Sequence, residues 1–253
     1  MHRFFLSPES IRDGCVHFSE AISRQITQVL RLKLDTRVIV LDGLGNEYQV
    51  RLVDVSAQST EGEIESAAIA GGEARTRLTL LLCLTQREKF EWMLQKCTEV
   101  GACRFIPVIS SRSLVQETKE TTSKYERWQR ILQEAAEQSH RGKIPLLELP
   151  LRFENAVKLG EQSEVCKLIP WEEEKSVSLK TALQESDSDE VMLLIGPEGG
   201  FSKEEVAQAQ AAGFVPVTLG ERILRMETAA IVASALVLYE RGEMESALKK
   251  TAG

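Results

Sequence analysis

The sequence predicts an α/β protein in two parts: a small, mostly β domain over residues 1–72, then a larger domain over 73–253 in which apolar strands alternate with helices. Three features predict it. Two short apolar runs, 37–42 and 47–52, flank Gly43-Leu44-Gly45-Asn46, and the second alternates Tyr48, Val50 and Leu52 with polar neighbours, as in a hairpin with one wet face. Gly71-Gly72 marks a shift in composition. Beyond it, 78–84 is a continuous apolar run, expected of a parallel strand covered on both faces.

In the first part, a helix over 20–30 places Ile22, Ile26, Val29 and Leu30 on one stripe. In the second, Phe90, Met93, Leu94, Cys97 and Val100 stand at helical spacing with Gly101 as the stop, and a strand over 105–109 completes a β-α-β unit. Ser123 and Glu126 are spaced as a capping box for a helix carrying Trp128, Ile131, Leu132 and Ala135. Further strands are expected at 165–169, 191–195 and 214–219, and the charged stretch 172–190 reads as a solvated connection.

At 253 residues with 43% hydrophobic and 27% charged side chains, the chain supports a folded core rather than disorder. No run reaches membrane-spanning length and the N-terminus does not read as a secretion signal, so a cytoplasmic location is expected. Five scattered cysteines without a CxxC pair, and three histidines, predict neither a disulfide framework nor a metal site. A net charge of −7 weighs against nonspecific coating of nucleic acid, while leaving room for local basic patches.

The chemistry-bearing stretch is LLIGPEGGFSKEE, an apolar strand ending in Gly196-Pro197-Glu198-Gly199-Gly200 before a helix. It lacks the Gly-Lys-Ser/Thr of a P-loop and the glycine spacing of a dinucleotide fingerprint, and Glu198 in the turn repels phosphate. Ser202 and Glu205 cap the following helix themselves, and Gly213 closes it. The glycines could equally serve only the turn's backbone angles. The loop has a companion, LGERILRMETAA, between the next strand and a helix over 227–241 that is apolar almost all round, so it must be buried in the core or against another subunit. Two loops at the carboxyl ends of parallel strands form the crevice where open α/β sheets bind ligands.

This pair of motifs resembles the signature of the RsmE family of 16S ribosomal RNA uridine N3-methyltransferases, of the SPOUT class. MHRFFL, QVLRL, DGLGNEY, QKCTEVG, Arg112-Ser113 and EQSHRGKIP extend the likeness over nearly the whole chain. It departs in three places: Arg24-Gln25 where the family usually has a His-His or similar pair, Val100 where Leu is common, and Arg87 where Lys is frequent.

The resemblance implies a PUA-like RNA-binding β-barrel followed by a trefoil-knot domain that binds S-adenosyl-L-methionine without a metal. It implies cofactor contacts from Leu194, Ile195, Gly196, Glu198, Gly199 and Gly200 on one wall. Leu219, Gly220, Ile223, Leu224, Arg225, Thr228 and Ala229 would form the other, and 168–171, with Leu168 and Pro170, a third. Arg225 is the candidate for stabilising charge on the uracil, with Glu227 or Glu198 as base or orienting partner, although ion pairing or shaping of the turn would also account for each. RNA contacts are expected from Arg3, Arg24, Arg31, Arg112 and Arg141, within clusters that add Arg12, Lys33, Arg37 and Lys143. The implied partners are 16S ribosomal RNA in the small ribosomal subunit and a second copy docked through helix 227–241. Two alternatives stay open: a SPOUT ribose 2′-O-methyltransferase on ribosomal or transfer RNA, and a non-catalytic RNA-binding or ribosome-assembly protein.

Overall fold

The computed structural model describes residues 1–115, 124–159 and 165–245. The chain divides into two compact units, one of Met1–Glu73 with Ala136–Ile144, the other of Ala74–Ala135 with Pro145–Gly253. The sequence reading carried one uninterrupted domain from residue 73 onward. Instead, 136–144 returns to the first unit, where Ala136 packs with Phe5 and Leu41, and Glu137 Oε1 accepts the Phe5 amide at 3.1 Å.

The first unit is built on a six-stranded sheet in the order Arg3–Phe5, Arg37–Leu41, Asn46–Val55, Thr60–Ile69, Cys15–Phe18, Ile11–Arg12. The first pairing is parallel and the rest are antiparallel. Alternation puts Val38, Val40, Val50 and Leu52 inward with Phe4, Val16, Phe18 and Ile26. The expected hairpin forms. In its turn the Asp42 carboxylate accepts the amides of Leu44 and Asn46 at 2.8 and 3.0 Å, and the Asn46 side-chain amide at 2.6 Å. Burial pushes the Asp42 carboxyl up, but these hydrogen bonds outweigh it and hold the group below the ordinary carboxylate range. The helix expected over 20–30 is an α-helical turn, Glu20–Arg24, running into a π-helical segment, Gln25–Val29. The wider π turn rotates the stripe, so Ile26 is buried whereas Val29 is 73% exposed.

The second unit holds a sheet in the order Leu151–Arg152, Arg104–Ile109, Arg77–Cys83, Glu190–Ile195, Cys166–Pro170, Val215–Val217, with Leu146–Leu147 also paired to Arg104–Ile109. All of its pairings are parallel. Leu78, Leu80, Leu81 and Leu82 are fully buried, which explains a continuous apolar run in place of alternation. Helix Arg87–Val100 buries Phe90, Met93, Leu94 and Cys97, sets Phe90 against Trp128 with ring centroids 4.7 Å apart, and stops at Gly101 with φ 128°. The helix around Trp128 spans Tyr125–Gln138, while Ser123 of its expected capping box lies outside the described residues.

The stretch 172–190 is not merely a solvated connection. It contains helix Leu179–Gln184, capped by Ser178, with Leu179, Ala182 and Leu183 buried. The last helix, Met226–Glu240, packs on helix Arg87–Val100, on Leu179–Gln184 and on strand Glu190–Ile195. Among the described residues no helix is long and apolar enough to cross a membrane.

Within the first unit the Arg141 guanidinium, 3% exposed, donates to both oxygens of Glu73 at 2.7 and 3.2 Å. Glu73 also accepts the amides of Gly142 and Lys143. Glu73→Ala removes the acceptor of these bonds and is expected to destabilise the fold by about 1–3 kcal/mol in chemical denaturation, beyond a surface substitution.

Candidate functional site

Because the second sheet is parallel, the loops that follow its strands emerge at one edge. Strand Cys166–Pro170 lies between Glu190–Ile195 and Val215–Val217, so three neighbouring strands deliver three loops to one place. They enclose a cavity of about 370 Å³, within the range of small-molecule and cofactor sites. Its wall includes Ile195, Gly196, Pro197, Glu198, Gly200 and Phe201 from the first expected motif, and Leu219, Gly220, Ile223, Leu224, Arg225, Glu227 and Ala229 from the second. Pro170 and Trp171, with Glu172 and Lys175, come from the loop between them.

Four expected wall residues are not on the wall. Leu168 and Leu194 are 1% and 0% exposed within the sheet, where side chains of a doubly covered strand belong. Gly199 and Thr228 are exposed but outside the lining. Sequence reasoning missed Lys89, Glu172, Lys175, Phe201, Thr218, Glu221, Arg222 and Met226 on the wall. Several of these neighbour the quoted motifs and were within reach. Lys89 comes from the first turn of helix Arg87–Val100, with no local signal tying it to the loop.

The glycine loop is shaped by close approach. At Gly200, φ is +66° and an added Cβ would lie 2.4 Å from Glu172 Oε1. At Gly196 it would lie 3.0 Å from the Phe201 ring. Phe201 is buried and stacks near Phe153, with centroids 5.7 Å apart, which fixes the loop's far end.

Glu198 Oε1 accepts from the Thr85 hydroxyl and, at 3.2 Å, from Lys89 Nζ. Burial pushes the Glu198 carboxyl up, yet the hydrogen bonds from Thr85, its own backbone and Lys89 outweigh it and keep the group below the ordinary carboxylate value. It is an ionised, engaged group. Glu227 differs: it is 9% exposed, and its Oε2 has no hydrogen-bond partner among the described residues. Trp171 Nε1 is likewise buried without a partner among them. Both residues contribute to the cavity wall, and unsatisfied buried polar atoms beside it suit a polar ligand. Arg225 precedes helix Met226–Glu240 and forms no ion pair among the described residues, with Glu227 or otherwise. Backbone groups, a carboxylate, an indole N–H and an arginine fit a ligand with a base, hydroxyls and a cationic centre.

The five candidate RNA contacts fare unequally. Arg31 is exposed, with φ +53°. Arg24 is exposed and bonded to Glu20, a surface pair that a phosphate could displace at small cost. Arg112 is exposed and donates to Gly199 O at 3.0 Å. Arg3 has a side chain only 11% exposed and pairs with Glu47 at 2.7 Å. Arg141 is buried and pairs with Glu73 within the first unit.

The family described as "RNA methyltransferase domain" matches residues 72–238, and "RNA methyltransferase PUA domain" matches 23–65. The chain is 36% identical to the ribosomal RNA small subunit methyltransferase E of Synechocystis over 93% of its own length and 77% of that protein. It is 30% identical to the Bacillus subtilis protein of the same name, over 85% and 86%. A crystal structure of the Neisseria gonorrhoeae ribosomal RNA small subunit methyltransferase E bound to S-adenosyl methionine superimposes with a TM-score of 0.85 at 32% identity, covering 94% of this chain and 97% of that one. A putative methyltransferase from Legionella pneumophila with bound S-adenosylmethionine gives 0.80 at 25% identity, covering 94% and 96%.

Glu198 should reveal its engagement in a carboxyl carbon NMR titration. Thr85→Val removes one bond that lowers its value, so its midpoint should rise towards the ordinary 4.5. Because the folded value is depressed, the stability that Glu198 contributes is complete above pH 4.5 and is lost as pH falls through the folded value. The stability gap between wild type and Thr85→Val should close over that acidic window. Separately, Gly200→Ala should destabilise the protein by about 1–3 kcal/mol in thermal or chemical unfolding, from strain at positive φ.

Proposed function

The chain belongs to the ribosomal RNA small subunit methyltransferase E family, and from that premise we propose that it transfers a methyl group from S-adenosylmethionine to uridine N3 in 16S ribosomal RNA. The observation that carries the reading is the cavity between the 196–201 and 218–229 segments, whose wall includes Glu227 and Trp171, each with a buried polar atom unpartnered among the described residues.

The cofactor supplies an electrophilic methyl group. The protein must align it with the target nitrogen, accept or guide away the N3 proton, and stabilise negative charge spreading over the uracil carbonyls. Arg225, on the wall and without an ion-pair partner among the described residues, takes the charge-stabilising role. Glu198 shapes the loop: a carboxylate whose value is held down by Thr85 and Lys89 has reduced affinity for a proton. Glu227, whose Oε2 has no hydrogen-bond partner among the described residues, takes the role of proton acceptor or orienting group.

The path of the second unit supports the trefoil-knot reading, because the chain leaves an edge strand at Val217 and its last helix returns to pack on Arg87–Val100 and strand Glu190–Ile195. The first unit serves as the PUA-like barrel, offering Arg24 and Arg31 to RNA phosphates in the small subunit. We also read a homodimer through the last helix, where Leu236 and Tyr239 remain 38% and 65% exposed, with Val232 and Ala235 half-buried beside them. The cytoplasm, where ribosomal RNA is found, is the expected location.

The decisive assay supplies purified protein with labelled S-adenosylmethionine and small subunits or naked 16S RNA from a strain lacking the activity, followed by nucleoside mass spectrometry. N3-methyluridine is expected, and Arg225→Ala should lower kcat by about 10²-fold, the usual cost of losing one charge-stabilising donor. Methylation on the ribose would support the 2′-O alternative, and no methylation of either substrate would overturn the reading. In sedimentation, Leu236→Asp should convert a dimer to monomers.

A further inference from the structure

We propose that the turn Ser110-Ser111-Arg112-Ser113 is a brace that presets the 196–201 loop for S-adenosylmethionine, with Glu205 and Arg112 as positioning residues. The inference rests on the cofactor reading above. Neither Glu205 nor any residue of the turn lines the cavity, so both act through the loop.

Two links join the turn to the loop. Glu205 is 7% exposed, and its two oxygens are used differently. Oε2 accepts the Ser202 amide at 2.9 Å, while Ser202 Oγ accepts the Glu205 amide at 3.2 Å, which completes the capping box. Oε1 accepts the Ser111 amide at 2.8 Å, a bond that helix capping does not require. On the other side of the loop, Arg112 Nη1 donates to Gly199 O at 3.0 Å. The turn is stiff enough to serve as an anchor: the Ser110 amide donates to Ser113 Oγ at 3.0 Å, and the Ser113 amide to Ser110 O at 3.2 Å. Ser110 and Ser113 are buried above Cys83, whose thiol burial pushes up, leaving it a neutral neighbour.

The glycines that let the loop approach a ligand also let it wander, and a wandering loop loses more order on binding. Fixing Gly199 and Ser202 from outside leaves Gly196 and Gly200 free to face the cavity. A carboxylate suits Glu205 because it must accept from two N–H groups. Glutamine offers one acceptor oxygen and turns an N–H₂ towards the second donor.

The test compares wild type with Glu205→Gln, Arg112→Gln and Ser202→Ala, using calorimetry with S-adenosylmethionine in the absence of RNA, thermal melts, and steady-state kinetics. Glu205→Gln and Arg112→Gln should each raise Kd for S-adenosylmethionine, measured without RNA, on the order of tenfold, the size of a lost charge-assisted hydrogen bond, and Glu205→Gln should raise KM for the cofactor to match. Ser202→Ala, which removes the cap alone, should lower the melting temperature without a matching rise in Kd. Arg112 is exposed, so its variant folds even if Glu205→Gln does not. Wild-type Kd in Arg112→Gln and in any folded Glu205→Gln overturns the brace, as does an equal rise in Ser202→Ala. Failure of wild type to bind the cofactor overturns the cofactor reading and takes the brace with it.

Discussion

All strand pairings in the second sheet are parallel, and the candidate site depends on that constraint. A parallel sheet needs crossover connections, so both faces are covered and the strands become apolar throughout. It also sends the loops after Ile195, Pro170 and Val217 out at one edge, side by side. No single loop encloses the cavity; three short ones from adjacent strands line it together.

The site divides its polar groups between those already satisfied and those that are not. Glu198 on the cavity wall is held by Thr85 and Lys89, and Glu205, behind the loop, by two backbone amides. These acids fix loop geometry. Glu227 Oε2 and Trp171 Nε1 are buried and unpartnered among the described residues, a costly condition that a ligand can relieve. That contrast separates acids that fix loop geometry from one whose oxygen is unpartnered among the described residues, a distinction the residue types alone do not make.

Much of this was legible in the sequence where the signal is local. The hairpin followed from alternation and Gly43-Leu44-Gly45-Asn46, the buried strand from 78–84, and the two loops that line the cavity from their breaks of pattern after apolar runs. The pieces that escaped are made by contacts distant in sequence. The return of 136–144 to the first unit and the reach of Lys89 to Glu198 leave no periodicity to read. Val29 and Arg141 show a second limit. A π-helical turn rotated one predicted core residue outward, and a buried carboxylate partner turned one predicted phosphate contact inward. The short helix Leu179–Gln184 was hidden because charged neighbours dominated its window.

The central claim is that the cavity at the carboxyl edge of the parallel sheet is the cofactor site, and a crystal structure of the chain with S-adenosylmethionine tests it most directly. The account predicts cofactor density enclosed by 170–172, 195–201 and 218–229, with Glu227 Oε2 and Trp171 Nε1 each within hydrogen-bonding reach of the ligand or of a water it orders. Density seated elsewhere on the chain, with those two atoms still unpartnered, would contradict it.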